Sequence, residues 1–272
     1  MQPVDSLLLA ATRLSTFYGA QLLTRATGFF FERDEVLFLV TSRHVLQDDS
    51  CGHAPDRVDI ELHCDSANLA ESAAFSIPLY QNDQRVWRQG LDHAGAIDVA
   101  VLKIDRAQLP TSAVYAAFTP FHLLKDEEHV EIGSSLLVVG FPLGFHDTLH
   151  HMPVVRQAVV ASSFGLRFQG NGYFLTDART HRGTSGAPVV MRMQASGSAG
   201  VDEPALPWRL LGVHSARLDV GSRDLALDEA LGLNCAWYAD ILLTLTADLV
   251  VDQSQSESES QSQSQTEGTF AS

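Results

Sequence analysis

The chain has 272 residues, 45% of them hydrophobic, and a formal net charge of −15. A chain of this length can bury a sizeable core. Only four of the acidic charges lie after residue 251, so the body itself is acidic. Because such a mean field repels phosphate groups, we expect neither nucleic acid nor an anionic membrane surface as a partner.

The three cysteines, Cys51, Cys64 and Cys235, form an odd set without the spacing of a disulfide framework. Such a set is typical of a reducing compartment. The apolar run at residues 7–11 has no basic region before it and is followed by Arg13. It therefore predicts neither a signal peptide nor a membrane span, and we expect a cytoplasmic protein.

The first half of the chain predicts strands and turns. Residues 28–31 and 36–40 are apolar runs separated by Arg33-Asp34, which indicates a hairpin that leads to His44. Residues 57–64 alternate between apolar and polar types, the pattern of a half-buried strand whose outer face carries His63. The polar stretch 65–95 predicts long surface loops with one short strand at Phe75–Leu79.

The second half contains further short apolar runs separated by turn residues, at 135–140, 154–162, 173–176, 188–191 and 210–214. Many short strands without a long amphipathic helix predict an all-β sandwich or barrel. Ile241, Leu242, Leu245 and Leu249 fall at helical spacing and predict a C-terminal helix on the second half. The Ser/Gln/Glu tail from Gln253 has no apolar residue up to Thr266 and is expected to be disordered.

Three segments carry the residue types of hydroxyl nucleophilic catalysis: His44 at a strand end, Asp98 before an apolar run, and Ser185 between glycines. A serine needs a base to take its proton and a carboxylate to orient that base. The order His–Asp–Ser differs from the orders of subtilisin-like enzymes and α/β-hydrolases. Asp83, Asp92 and Asp105 are nearby alternatives to Asp98, which is favoured by the buried-looking run that follows it.

Over residues 11–250 the chain resembles the chymotrypsin-like serine peptidases, more closely the bacterial high-temperature-requirement type. The resemblance implies an all-β fold of two six-stranded antiparallel barrels with a C-terminal helix and an active site between them. It divides the chain into 1–130, 131–250 and the tail 251–272. The matching pieces are Ala26-Thr27-Gly28-Phe29, the His44 strand end, Asp98-Val99-Ala100-Val101, Val139-Gly140-Phe141-Pro142, Thr176-Asp177-Ala178, residues 183–188 and residues 231–241.

The resemblance assigns Ser185 as nucleophile of a serine endopeptidase, His44 as general base and Asp98 as its orienting carboxylate. The backbone N–H groups of Gly183 and Ser185 would form the oxyanion hole, where each donor contributes about 3 kcal/mol. Gly183 suits this role because a residue without a Cβ can turn its N–H into the cleft at unusual φ and ψ. A protein or peptide is the expected substrate, and no cofactor is expected.

Two departures from the family limit what it implies. Thr184 replaces the aspartate that pairs with a newly cut N-terminus in trypsin, so activation by propeptide cleavage is not implied. No segment after the predicted helix resembles the peptide-binding PDZ domain of many bacterial members. Ala187 in place of the usual glycine is a conservative change.

Three residues are candidates for the pocket that binds P1, the substrate residue before the cut bond. Gly212-Val213-His214 resembles the Gly-x-His of peptidases that cut after glutamate or glutamine, and Arg179 and Thr180 take pocket positions by the same resemblance. A histidine and an arginine favour an acidic or amide side chain. The sequence therefore predicts cleavage after Glu or Gln. A hydrogen-bonded strand histidine and a surface arginine are the alternatives.

Two groups of residues have side chains that can coordinate a metal ion such as zinc, namely Cys51/His53/His63/Cys64 and His146/His150/His151. The alternation places His63 and Cys64 on opposite faces of a strand, and the second cluster lies on a loop, so no metal site is predicted. A catalytically silent or latent trypsin-fold module that binds peptides or proteins is the rival function. An esterase is disfavoured because residues 183–187 lack the Gly-x-Ser-x-Gly elbow.

Overall fold

The computed structural model describes residues 4–193, 205–215 and 232–247. The predicted tail and the predicted helix position Leu249 lie outside these ranges. The helices are α1 (Ser6–Ala10), α2 (Arg43–Leu46) and a segment at 241–247, and none of the described helices is long and apolar enough to cross a membrane. The strands are β1 (Ala11–Tyr18), β2 (Gln21–Arg33), β3 (Val36–Thr41), β4 (Arg57–His63), β5 (Ser72–Pro78), β6 (Tyr80–Gln81), β7 (Gln84–Arg85), β8 (Trp87–Asp92), β9 (Gly95–Ile104), β10 (Ser135–Gly140), β11 (Val154–Val160), β12 (Tyr173–Asp177), β13 (Pro188–Arg192), β14 (Trp208–Ser215) and β15 (Leu233–Tyr238).

The first half forms a seven-stranded sheet in the order β5-β4-β1-β2-β3-β9-β8. All described pairs in it are antiparallel, and the outer strands β5 and β8 do not pair with each other. The prediction of a closed six-stranded barrel in this half is therefore wrong in strand number and in closure. The extra strand β8 has the sequence WRQGLD, whose polar residues and glycine led the sequence analysis to predict a loop.

The second half forms a closed barrel in the order β10-β11-β12-β15-β14-β13. The short apolar runs predicted there match its strands, and six strands close as predicted. Its interior is an apolar cluster that includes Val138, Phe174, Val189, Leu211 and Ala236. Closure pairs the strands around the ring, so β13, β14 and β15 hold the segments that carry Ser185 and His214 in fixed register.

A second apolar cluster joins the two halves. It includes Phe29 and Val99 of the first sheet, Val213 of the barrel, and Leu242 and Leu245 of the helical segment 241–247. This segment packs on the first sheet as well as on the barrel, since Ile241 contacts Gly90 and Arg33 Nη1 donates to the Leu243 carbonyl at 2.6 Å. The predicted C-terminal helix thus lies at 241–247, and it packs on the first sheet in addition to the barrel, so that it joins the two halves.

His63 is buried, although the alternation of β4 placed it on the outer face. Its Nε2 lies 2.7 Å from the carbonyl oxygen of His150, on the segment that follows Phe145. The His63 side chain is thus buried by a residue 87 positions away in the chain. The alternation of polar and apolar residues within one strand cannot predict such a contact. The same segment places His150 beside Asp147 and stacks His146 on His151.

Candidate active site

A histidine and an aspartate form a close pair at one end of the first sheet. His44 lies in α2 directly after β3, and Asp98 lies in the neighbouring strand β9. His44 Nδ1 is 2.7 Å from Asp98 Oδ2, and the His44 backbone N–H donates to Asp98 Oδ1 at 2.8 Å. The two contacts fix both the position and the ring orientation of His44.

The carboxylate of Asp98 has a third donor, the Ser215 hydroxyl of β14, at 2.8 Å from Oδ2. Burial alone would raise the pKa of Asp98, but the His44 side chain, the His44 N–H and the Ser215 hydroxyl together hold that pKa below its usual value. Asp98 is therefore ionised at neutral pH and accepts every bond it makes. Ser215 was not among the predicted site residues, although its place after His214 puts it on the opposite face of β14.

Ser185 lies on the loop between β12 and β13, flanked by two glycines with positive φ. At Gly183 (φ +93°), a Cβ would lie 2.6 Å from the carbonyl oxygen of Phe141; at Gly186 (φ +87°), it would lie 2.2 Å from the carbonyl oxygen of Thr27. Side chains do not fit at either position, so both glycines are needed for the path of the loop. The sequence indicates this loop through a serine flanked by glycines, in the order His–Asp–Ser.

Thr27, a buried residue of β2, holds the Ser185 loop against the first sheet. Its N–H donates to the Ser185 carbonyl at 3.0 Å, and its hydroxyl donates to the Gly183 carbonyl at 2.8 Å. The same hydroxyl accepts from the Phe141 N–H at 3.1 Å, and its carbonyl accepts from the Thr41 hydroxyl at 2.8 Å. Thr27 could be placed in a family motif from the sequence but not assigned this role, because its partners are distant in the chain.

Two backbone N–H groups of the Ser185 loop have no acceptor among the described residues. Those of Thr184, Gly186 and Ala187 donate to the carbonyls of His181, His214 and Thr184, respectively, whereas Gly183 N–H and Ser185 N–H donate to none. Ser185 is buried and Gly183 is partly exposed, and backbone N–H groups withdrawn from water are usually paired in folded proteins. Two unpaired donors one residue apart, beside a candidate nucleophile, form a site able to bind a negatively charged oxygen.

The Ser185 loop and the segment before His44 are in direct contact. A Cβ on Gly186 would lie 2.3 Å from Thr41 Oγ1, and the Ser42 hydroxyl donates to the His214 carbonyl at 3.1 Å. Ser185 and the ring of His44 are both described, and no hydrogen bond joins them. Such bonds often tighten only when substrate binds. The structure thus shows the hydrogen bond between Asp98 and His44. Contacts of the residues next to Ser185 place the Ser185 loop beside the segment that leads to His44.

His214 of β14 is fully buried, and neither of its ring nitrogens has a hydrogen-bond partner among the described residues. Its cross-strand partner Ala236 belongs to the barrel interior, so the ring points to that side of the strand. Burial and, to a smaller extent, the charge of the nearby His44 together lower the pKa of His214 to about 3. The ring is therefore neutral at physiological pH, and it does not match the alternative of a hydrogen-bonded strand histidine.

The other predicted pocket residues lie between β12 and the Ser185 loop. The hydroxyl of Thr180 donates to Asn234 Oδ1 at 2.6 Å, and Asn234 Nδ2 donates to the Ala178 carbonyl at 2.8 Å. Arg179 is exposed, which differs from a charge enclosed at a pocket base. Arg217, close in sequence to His214, lies outside the described residues.

The site lies at the junction of two antiparallel β units. One unit carries a carboxylate–imidazole pair and the other a glycine-flanked serine, an arrangement typical of trypsin-fold proteins. A sequence profile of the trypsin-like peptidase domain family matches residues 26–195. This match covers more than half of the chain and includes His44, Asp98 and Ser185. The chain belongs to the trypsin-like peptidase domain family.

Solved structures share this fold at low sequence identity. An HtrA-type protease, an AlgW variant with a tripeptide, has a TM-score of 0.52 and 17% identity, over 92% of this chain and 64% of that one. A serine endoprotease from Yersinia pestis has a TM-score of 0.48 and 17% identity, over 90% of this chain and 64% of that one. The chain thus spans less than two thirds of either protein. No curated protein sequence matches it.

Proposed function

We propose that this protein is a serine endopeptidase that uses Ser185, His44 and Asp98 as its catalytic triad. The observation that carries the proposal is the pair of unpaired N–H groups at Gly183 and Ser185, on a loop docked beside the Asp98–His44 pair. Ser185 is itself buried, which distinguishes this loop from an ordinary surface turn, whose N–H groups are satisfied by water. Family membership supports the same chemistry.

In the proposed mechanism, Asp98 fixes the tautomer of His44. The ionised carboxylate only accepts, so the Nδ1 that faces it carries the proton and Nε2 is the free base. Nε2 takes the proton of Ser185 as its Oγ attacks the scissile carbonyl, and then gives that proton to the leaving amine. Water repeats the sequence on the acyl-enzyme and releases the second product.

The oxyanion of each tetrahedral intermediate would accept from the N–H groups of Gly183 and Ser185. These donors are already in place before substrate binds, so little reorganisation is needed when charge develops on the oxygen. Thr27 supports this arrangement because it holds the carbonyl of each of these residues. Each donor is expected to contribute about 3 kcal/mol to the stability of the transition state.

For the P1 residue, we propose glutamine or glutamate, recognised by His214 with Thr180 and Arg179 nearby. A buried imidazole without a partner is costly to the fold, and folded proteins tolerate such groups mainly where a ligand satisfies them. A neutral imidazole donates one N–H bond to an amide or carboxylate oxygen. Arg179, being exposed, would act as a solvated charge near the pocket mouth.

Labelling with a fluorophosphonate probe tests the catalytic proposal. Wild-type protein should react in proportion to time, and mass spectrometry should place the adduct on Ser185. The variant Ser185→Ala should not react, whereas the control Ser66→Ala, at an exposed position outside the site, should react like wild type. Absence of labelling of the wild type under all conditions would favour the rival, a latent or silent binding module.

The P1 proposal is tested with a peptide library randomised at the residue before the cut. Wild type should prefer Gln or Glu, and His214→Leu should lose that preference while it still reacts with the fluorophosphonate. A preference of the wild type for Lys, Arg or large apolar residues would contradict the assignment.

We also propose a cytoplasmic location. The three cysteines form no disulfide bond with one another in the structure, which supports a reducing compartment. Cell fractionation with a periplasmic and a cytoplasmic marker protein tests this part directly. Recovery of the protein with the periplasmic marker would contradict it.

A further inference from the structure

A groove of about 220 Å³ lies next to the candidate oxyanion hole, and Gly183 is one of its lining residues. Its walls are residues 22–25 of β2, the turn at Leu143 and Gly144, and the start of the Ser185 loop at Arg182 and Gly183. Neither β14 nor β15 contributes to it. The groove is therefore separate from the proposed P1 pocket.

The floor of the groove is continuous with the candidate catalytic loop. A Cβ on Gly183 would lie 3.1 Å from the N–H nitrogen of Leu143, whose N–H donates to the Arg182 carbonyl at 2.6 Å. A Cβ on Gly144 would in turn lie 3.6 Å from Arg25 Cδ. Because Gly183 lines the groove and is also a candidate oxyanion donor, a peptide whose scissile carbonyl accepts from Gly183 N–H would lie beside this groove.

The lining is apolar and basic. Leu22 and Leu143 are large exposed hydrophobic side chains. Arg25 and Arg182 are both exposed, and neither forms an ion pair with any residue of the described ranges. No acidic residue is among the described groove residues, although the chain as a whole carries a net charge of −15.

On these grounds we infer that the groove binds the first two substrate residues after the cut bond, P1′ and P2′, and that it selects an acidic side chain next to an apolar one. The inference rests on the proposed peptidase function and adds a second determinant of specificity. The volume of the groove suits one or two side chains and is below the range of pockets that enclose a small molecule.

Charge complementarity gives the selection its direction. The mean field of the protein disfavours acidic peptides, so a preference for them can arise only from local cations such as Arg25 and Arg182. Exposed ion pairs are weak, and each guanidinium should improve kcat/KM for an acidic residue by roughly two- to fivefold. Salt should reduce this preference because both charges are accessible to solvent.

The test uses internally quenched peptides that are identical up to P1 and carry Glu-Leu, Leu-Glu, Lys-Leu or Leu-Lys at P1′-P2′. Wild type at low ionic strength should cleave the better Glu peptide at least fivefold faster than its Lys counterpart. The ratio should fall when NaCl is added. In Arg25→Glu the ratio should fall to about one or invert, and the ratio cancels any general loss of activity.

Lys125→Glu is the control, because it makes the same charge change at an exposed position outside the groove. Its peptide ratio should equal that of the wild type. If wild type cleaves all four peptides at similar rates, or if Arg25→Glu leaves the ratio unchanged, the groove does not select acidic residues. If wild type cleaves no peptide and does not label with fluorophosphonate, the peptidase proposal itself fails, and the inference fails with it.

Discussion

The two halves of the candidate site treat their polar groups in opposite ways. In the first half, both oxygens of Asp98 accept hydrogen bonds, three in all, and His44 is fixed by two of them. In the second half, the ring nitrogens of His214 and the N–H groups of Gly183 and Ser185 lack partners among the described residues. The groups that already have hydrogen-bond partners are suited to orienting a base. The groups without partners are suited to binding a substrate, which would supply the missing hydrogen bonds.

Asp98→Asn should cause the largest loss, because an amide that donates toward His44 Nδ1 would select the wrong tautomer. We expect kcat to fall by on the order of 10⁴-fold, the size of the effect in other serine triads. Asp92→Asn is the matched control, since Asp92 was a sequence candidate but pairs with Arg167 in the structure. Peptide hydrolysis at pH 7.5, with circular dichroism as a check on folding, measures both. Equal losses in the two variants would remove Asp98 from the triad.

Thr27→Val should cause the second-largest loss of activity. Loss of the hydroxyl leaves the Phe141 N–H and the Gly183 carbonyl without their buried partner, so the donor at Gly183 is less firmly held. We expect a 10- to 100-fold fall in kcat with little change in KM, which corresponds to a free energy on the order of 1–3 kcal/mol for one buried group left without its partner. The variant Thr27→Ser keeps a hydroxyl and should recover most of the activity.

Thr12→Val is the control for Thr27→Val, because the Thr12 hydroxyl also donates to a carbonyl, that of Glu61, but within the first sheet and away from the site. It should lose a similar free energy of unfolding and keep wild-type kcat. If Thr12→Val and Thr27→Val lose activity in parallel with stability, Thr27 is only a structural residue.

His214→Leu should change stability in a pH-dependent way. Because the pKa of His214 is lowered to about 3 in the folded protein, the unfolded chain binds the proton first as pH falls below the usual value. This histidine therefore destabilises the fold by about 2 kcal/mol at pH 5 relative to pH 7.5, and the variant should lose that part of the pH dependence. Urea unfolding at the two pH values measures it.

His122→Leu tests whether the missing partners of His214 matter. His122 is also buried and its pKa is also lowered by burial, but its Nδ1 accepts from the Thr119 N–H. At pH 7.5, His122→Leu should destabilise the protein, whereas His214→Leu should leave its stability unchanged or increase it. A large destabilisation by His214→Leu at pH 7.5 would show that this ring is already satisfied.

Ser215→Ala should have the smallest effect. One of three donors to Asp98 is lost, so the pKa of Asp98 should rise toward its usual value and activity should fall by less than about tenfold, with the His44 contacts intact. A lowered carboxyl pKa contributes stability above the unfolded-state value and loses it as pH falls through the folded-state value. The acid unfolding midpoint should therefore move to higher pH. An unchanged midpoint would contradict a role for Ser215.

The sequence was most informative where chemistry and local pattern coincide. His44, Asp98 and the Ser185 loop could be found because each lies at the end or the start of an apolar run, and because Gly183 and Gly186 mark an unusual backbone path. The strands of the barrel were predicted for the same reason. The strand β8 was missed because its residues have low strand propensity and its pairing with β9 stabilises it.

The contacts that hold the site together could not be predicted. Thr27 bonds to Gly183 over 156 positions, and His63 bonds to His150 over 87 positions. Such pairs depend on how the two halves dock, which residue spacing does not encode. The open first sheet, and the contact of the C-terminal helix with that sheet, were not predicted for the same reason, since closure and docking are properties of the whole fold.

The central claim is that the unpaired N–H groups of the Ser185 loop await a negatively charged oxygen. NMR of ¹⁵N-labelled protein with a peptide boronate that ends in a glutamine-like side chain tests it directly. The amide protons of Gly183 and Ser185 should move strongly downfield on adduct formation, and those of Thr184, Gly186 and Ala187, which are already bonded, should move least. An adduct that leaves the Gly183 and Ser185 amides unshifted would contradict the account.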